Sequence, residues 1–291
     1  SARRLLGGAA GVRITLWGVR GSLPSLGPEN VLYGGNTSCV EVRAEDDSLI
    51  VLDAGTGIRR LGTTIHHQPR RIDVLLTHLH LDHVQGLGFF APLFVPEMEV
   101  QVWGPGSVMA SLRDRLLRSL APPLYPVRLR DLPSRVTLRD VPRGSFDVGP
   151  IRVTADYVCH PGPTVGYRLE EAGRALAYLP DHEPALTEAA FPDGVVWTSG
   201  YELARGADVL IHDCAYTAVE YPERRGWGHS AIDHAFAFGE LARVRKLVTF
   251  HHDPGHSDGM LDAMLESTSR AFAPPFDVVP GTEGAHLVVG G

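Results

Sequence analysis

An apolar run that stops on a cluster of histidines limits this chain more than any other feature. Ile72-Asp73-Val74-Leu75-Leu76 has the β-branched, apolar pattern of a buried strand, and Thr77-His78-Leu79-His80-Leu81-Asp82-His83 follows it directly. Side chains two apart on an extended chain point the same way, so His78 and His80 share a side. Asp82 and His83 fall where the strand gives way to a turn and face a neighbouring point. Imidazole and carboxylate together suit zinc and similar first-row metals, and one such cluster can feed two adjacent ions. A chain built this way needs a fold in which other strand ends meet this one.

Such strand ends are present. His160 follows a strand-like run at Ile151–Val158, Asp181 follows Ala177-Tyr178-Leu179-Pro180, His212 and Asp213 follow Val209-Leu210-Ile211, and His251 follows Leu247-Val248-Thr249-Phe250. Further runs predict strands at Val12–Trp17, Cys39–Val42, Leu49–Leu52, Val100–Trp103, Val165–Leu169, Ala175–Leu179, Asp208–Ile211 and Lys246–Phe250. Helices are predicted at Gly106–Leu120, Ser230–Ala242 and Gly259–Ala271. The second of these opens on Ser230-Ala231-Ile232-Asp233, a capping box with Asp in place of Glu. The Pro-rich stretch Ala121–Pro133 reads as an irregular excursion and not a boundary. Strands and helices mix throughout, which favours one α/β domain over residues 12–291 behind a ragged tail at 1–11.

Composition narrows the context. Hydrophobic residues make up 44% of the 291, enough for a sizeable core, and no apolar run reaches membrane-spanning length. Cys39, Cys159 and Cys214 are odd in number and far apart, which points to free thiols in a reducing, cytoplasmic setting. A net charge of −7 gives no support to a general polyanion binder, so nucleic acid is not favoured as a partner. The charge is uneven, however: eight arginines between Arg113 and Arg143 face only Asp114, Asp131 and Asp140. Such a run is either a solvated face or a patch that attracts an anionic substrate. Gly34-Gly35-Asn36-Thr37-Ser38 lacks the Lys-Ser/Thr ending of a Walker loop and reads as a tight turn or a lining of the site.

The H-x-H-x-D-H motif after an apolar strand resembles the signature of the metallo-β-lactamase superfamily. That resemblance implies a four-layer αββα sandwich with a metal site at one edge of its two sheets. It extends to Cys159-His160-Pro161 before Val165-Gly166-Tyr167, to Leu179-Pro180-Asp181-His182, and to Thr249-Phe250-His251. By this likeness His78, His80 and His160 hold one ion, Asp82, His83 and His251 hold a second, and Asp181 is shared. His252 is a rival to His251, Asp213 is a rival to Asp181, and His182 is either a supporting residue or an exposed one. Leu52-Asp53-Ala54-Gly55-Thr56-Gly57 resembles the superfamily's aspartate–glycine turn, where Asp53 could hold a ligand histidine by its free ring nitrogen. Two divalent ions are implied, with zinc the default and manganese or iron accepted by the same donors.

Within the superfamily the chain is similar to the branch of RNase Z and the phosphoribosyl cyclic phosphodiesterase of phosphonate breakdown. Gly228-His229-Ser230 and Ile211-His212-Asp213-Cys214 carry this likeness, which implies that His229, supported by Asp213, acts on the leaving group while Asp82 orients the nucleophile. From Trp17-Gly18-Val19-Arg20-Gly21-Ser22 to His251-His252-Asp253-Pro254 the pattern resembles bacterial proteins of this branch described only as metal-dependent hydrolases. The long basic, Gly-rich arm of RNase Z has no convincing equivalent here. The expectation is a dimetal phosphodiesterase for small or cyclic phosphodiesters, in a possible homodimer that the resemblance alone implies. A lactonase or thioesterase on the same metals is the alternative, and a metal-binding module without turnover is a third reading.

Overall fold

Alternation along the strands builds the layers. The computed structural model describes residues 11–65, 69–142, 144–184, 191, 194–195 and 198–290. The first half of the chain lays down β1 (Arg13–Gly18), β2 (Cys39–Arg43), β3 (Leu49–Leu52), α1 (Ile58–Thr64), β4 (Arg71–Leu75), α2 (Leu81–Val84), β5 (Glu99–Gly104), α3 (Leu112–Leu116) and β6 (Arg135–Asp140). The second half adds β7 (Gly144–Val148), β8 (Ile151–Tyr157), β9 (Val165–Glu171), β10 (Arg174–Leu179), α4 (Tyr201–Ala204), β11 (Val209–Asp213) and α5 (Tyr221–Arg224). It closes with α6 (Ile232–Leu241), β12 (Lys246–Phe250), α7 (Asp258–Phe272), β13 (Asp277–Pro280) and β14 (His286–Val288).

Two seven-stranded sheets result, in the orders β14-β1-β2-β3-β4-β5-β6 and β13-β12-β11-β10-β9-β8-β7. In each, one half is antiparallel and the other parallel: β3-β4-β5-β6 and β10-β11-β12-β13 are the parallel halves. On β3, Ile50 and Leu52 point to the second sheet, while Leu49 and Val51 point outward to Ile58 and Leu61 of α1. The inner layer joins Ile14, Leu16, Val40 and Val42 to Tyr167, Leu169, Tyr178 and Phe250. On the other outer face, Leu179, Leu210 and Leu247 pack against Phe236 of α6 and Leu261 and Met264 of α7. This is the four-layer αββα sandwich. Each such side chain taken fully out of water stabilises it by roughly 1.5–3 kcal/mol.

The edge strands β6, β7, β13 and β14 go beyond the sequence expectations, and Arg143 and residues 1–10 of the expected tail lie outside the described residues. The helix expected at Gly106–Leu120 is confined to Leu112–Leu116, where Ser111 Oγ caps the Asp114 N–H at 3.1 Å. The capping box expected at Ser230 does not form. Ser230 Oγ donates instead to the carbonyl of His182 at 2.6 Å, and α6 begins after Ala231 with no side-chain cap. All three cysteines are free, with Cys39 and Cys214 buried and Cys159 half-buried. Among the described residues no helix is long and apolar enough to cross a membrane.

Candidate metal centre

Strand ends deliver the functional side chains. His78 and His80 lie just past β4, and His80 keeps an extended backbone (φ −64°, ψ 153°) immediately before the single turn of α2, which carries Asp82 and His83. His160 comes after β8, Asp181 after β10, Asp213 at the end of β11 and His251 directly after β12. Asp53 (φ 59°) and His251 (φ 57°) sit in the left-handed region, which costs an L-residue roughly 1–2 kcal/mol. At Asp53 the contacts that hold this conformation are plain. Its carboxylate accepts from Thr77 N at 2.8 Å, Tyr178 OH at 2.9 Å, and the ring of His83 at 2.8 Å.

The donor atoms fall into two main groups, His78/His80/His160 and Asp82/His83/Asp181/His251, and two overlapping ones, His160/Asp181/His229 and Asp213/His229/His251, each within 4.8 Å internally. His160 Nε2 lies 3.1 Å from His80 Nδ1. Asp181 spans both groups: its Oδ2 is 3.7 Å from His78 Nε2 and from His160 Nε2 and 3.1 Å from His251 Nε2, while its Oδ1 is 3.0 Å from His83 Nε2. Asp82 Oδ2 is 3.2 Å from both His83 Nε2 and His251 Nε2 and accepts from Ser22 N at 2.8 Å. Outer contacts fix the tautomers. His83 Nδ1 donates to Asp53, and His160 Nδ1 donates to the carbonyl of Gly228 at 2.8 Å. Thr77 spends its proton on Asp53, so its oxygen accepts from His78 Nδ1 at 3.0 Å. All three rings therefore turn Nε2 inward, the atom through which each would bind a metal once it carries no proton.

Charge sorts the groups in two. Burial keeps His78 and His80 neutral and pushes His160 down to about 4. At His83, burial opposes the proton but Asp181, Asp82 and Asp53 outweigh it and push the ring up; at His251, Asp181 and Asp82 overcome burial and raise it to about 10. Asp82 and Asp181 are correspondingly held far below the ordinary carboxylate range, against their burial, by His83 and His251. The carboxylates thus demand positive charge at this point. His78 Nε2, His83 Nε2 and Asp181 Oδ1 are moreover buried with no hydrogen-bond partner. Inward lone pairs beside two carboxylates fit a divalent cation, which would release the protons now drawn to His83 and His251.

Next to this cluster His229 gives its Nδ1 proton to Asp213 at 2.7 Å, and its ring stacks on His251 with centroids 4.8 Å apart. Asp213 is pinned by the N–H groups of His182 (3.2 Å) and Ala215 (3.0 Å). It therefore lies behind His229, while Asp181 is the carboxylate that reaches both main donor groups. His252 faces elsewhere: its Nε2 donates to Gly281 O at 3.0 Å, and it belongs to neither donor group. His182 is buried and paired with His212 at 2.9 Å, so the exposed alternative does not hold.

Two further buried residues support the site. Glu183, buried, accepts from Tyr221 OH at 2.7 Å, Gly226 N at 2.9 Å and Gly228 N at 2.8 Å, so it shapes the turn that presents His229. Its only signal was its place two residues after Asp181. Arg20, also buried, donates to Gly34 O (2.9 Å), Asn30 Oδ1 (3.0 Å) and His256 O (2.6 Å), tying the loop before Ser22 to the one after His251. The arginine-rich segment meets the site as well: His78, His80, Arg115 and Arg118 all line one cavity of about 430 Å³.

Comparison with known proteins agrees with this architecture. The family model of the β-lactamase superfamily domain matches residues 49–252. Ribonuclease Z of Lacticaseibacillus casei (strain BL23) is 26% identical, over 84% of this chain and 87% of that protein. The crystal structure of YhfI, a metallo-β-lactamase fold protein from Bacillus subtilis, has a TM-score of 0.69 at 17% identity, covering 95% of this chain and 99% of that one. Human tRNase Z, short form, has a TM-score of 0.66 at 22% identity, covering 95% and 99%. Relatives named as ribonucleases overturn the expectation that nucleic acid is disfavoured as a partner. The physical reason is that net charge sums the whole surface, whereas binding answers to the local field. Here arginines gather beside His78 and His80 although the chain as a whole carries −7.

Proposed function

Since this chain belongs to the β-lactamase superfamily, in its metallo-β-lactamase, ribonuclease Z-like branch, we propose that it is a phosphodiesterase working with two divalent ions, zinc by preference. His78, His80 and His160 would hold one ion and Asp82, His83 and His251 the other, with Asp181 between them. Bound there, the pair supplies a nucleophile at neutral pH and neutralises charge on the phosphoryl oxygens. Asp82, held by Ser22 N, would orient the attacking water. Asp213 holds the Nδ1–H of His229, so the doubly protonated ring would give its Nε2–H to the departing oxygen. The observation that carries this reading is the His229–Asp213 pair beside the two donor groups. An alkoxide is a poor leaving group, and a dedicated acid is typically worth about 10²–10⁴-fold.

The test is a panel on metal-loaded protein: bis-p-nitrophenyl phosphate, a short RNA, a cyclic phosphodiester, a lactone and a thioester. We expect turnover of the phosphodiesters to exceed that of the acyl substrates. The reverse ranking with the metals loaded would replace this reading with an acyl hydrolase.

A further inference from the structure

We propose that Arg115 and Arg118 form a binding site for a second phosphate of the substrate, one nucleoside away from the diester that is cleaved. This rests on the phosphodiesterase reading and names the class of substrate: a nucleotide diester that carries a flanking phosphate. The cavity of about 430 Å³ is large enough for such a unit, within the range of about 300–1,000 Å³ for small-ligand sites. His78 and His80 bound it on the side of the donor cluster, Arg115, Arg118 and Ser119 line it too, and Leu79, Leu124 and Pro163 supply apolar surface for a sugar or base.

What singles out these two arginines is that they share the cavity of His78 and His80 while others of the segment are engaged elsewhere. Arg130 pairs with Asp131 at 3.7 Å, Arg135 pairs with Glu97, and Arg139 donates to Gln101 at 2.8 Å. By contrast the Arg118 guanidinium is exposed and makes no hydrogen bond or ion pair among the described residues. Arg115 is anchored through Nη2 to the carbonyl of Pro105, but its Nε is buried and has no hydrogen-bond partner. Asp140 acts on Arg115 electrostatically, without an ion pair between the two among the described residues. Asp114, the acid within this helix, is turned back to cap with Ser111. Two permanently charged forks thus share a cavity with the candidate metal histidines and lack a carboxylate of their own, and a guanidinium fork matches the geometry of phosphate. Arg113 and Arg128, on the same segment, line a second cavity of about 300 Å³ and would meet the strand of a longer substrate.

The experiment has a binding arm and a cleavage arm, both on the metal-loaded enzyme. In the first, uridine 3′,5′-bisphosphate is titrated calorimetrically against uridine 3′- and 5′-monophosphate. The bisphosphate should bind about tenfold tighter than either monophosphate, a charge-assisted contact being worth at least that, and Arg118→Glu should bring the ratio to about one. In the second, UpU is compared with pUpU and UpUp. One terminal phosphate should raise kcat/KM about tenfold over UpU, and Arg118→Glu should erase that preference. Arg118 is exposed, so the variant should fold; Arg115→Lys, which keeps charge but not the fork, should show a partial loss. A ratio unchanged in Arg118→Glu overturns the proposal. Diesters cleaved with no preference for a flanking phosphate overturn it too, while leaving the phosphodiesterase reading intact. Bisphosphate selectivity that depends on Arg118, without cleavage of any diester, upholds the phosphate site and overturns the phosphodiesterase reading.

Discussion

Removing the imidazole of His229 should produce a loss that depends on the leaving group. In the structure Nδ1 is committed to Asp213 at 2.7 Å, and the side chain is only 13% exposed; in the proposed role the other ring nitrogen gives up a proton from the doubly protonated ring. General acid catalysis of this type contributes about 10²–10⁴-fold, or roughly 3–5 kcal/mol of the barrier. His229→Ala should therefore slow an alkyl diester, such as a dinucleotide, by about 10²-fold or more in kcat. A p-nitrophenolate leaves without a proton, so bis-p-nitrophenyl phosphate should lose far less. Asp213→Asn keeps the imidazole but weakens its support, and should give a milder version of the same selectivity. The assay is steady-state turnover of both substrates with metal content measured on the same samples. An equal loss on both substrates would mean that His229 binds or positions substrate. A loss of metal would make it a ligand, a geometry its position 4.0 Å from Asp181 Oδ2 brings within reach.

Two further outcomes follow from the surrounding contacts. Asp53→Asn removes the charge that fixes the tautomer of His83, so metal affinity should fall about 10–100-fold in a chelator competition; an unchanged affinity would refute that role. His212, pushed down to about 4 chiefly by burial, binds a proton less readily folded than unfolded. Between its unfolded value of about 6.5 and its folded value the unfolded chain holds more protons, so stability falls as pH drops through that window, by at most about 3 kcal/mol. Urea midpoints of metal-free protein should fall less steeply with acid in His212→Gln than in the parent, and parallel slopes would exclude His212 as the cause.

The legible parts of this chain are those where local pattern and burial agree. β3, β4, β10, β11 and β12 are apolar because the sheets bury them, and the histidines and acids after them mark their ends. The edge strands were not legible, because pairing and not composition makes them. β6 reads Arg-Val-Thr-Leu-Arg-Asp with no fully buried residue, and β13 ends in a proline. The same Ser-x-x-Asp pattern appears at Ser111 and Ser230, yet only Ser111 caps a helix, since the carbonyl of His182 claims the hydroxyl of Ser230. Glu183 was hidden for a similar reason: its partners Tyr221, Gly226 and Gly228 lie about forty residues further on and come together only through the fold. The charge run at Arg113–Arg143 could be counted in sequence, but its meaning depends on which of its members are already paired.

Two ions held by seven side chains are proposed to perform phosphodiester hydrolysis. Protein stripped with a chelator should be titrated with zinc while bound metal and hydrolysis of bis-p-nitrophenyl phosphate are followed together, for the parent chain, His80→Ala and Asp181→Ala. Parent activity should appear as the second equivalent binds, and each variant should lose at least one ion and most of its turnover. Full activity in stripped protein, or two tightly held ions in both variants, would contradict this proposal.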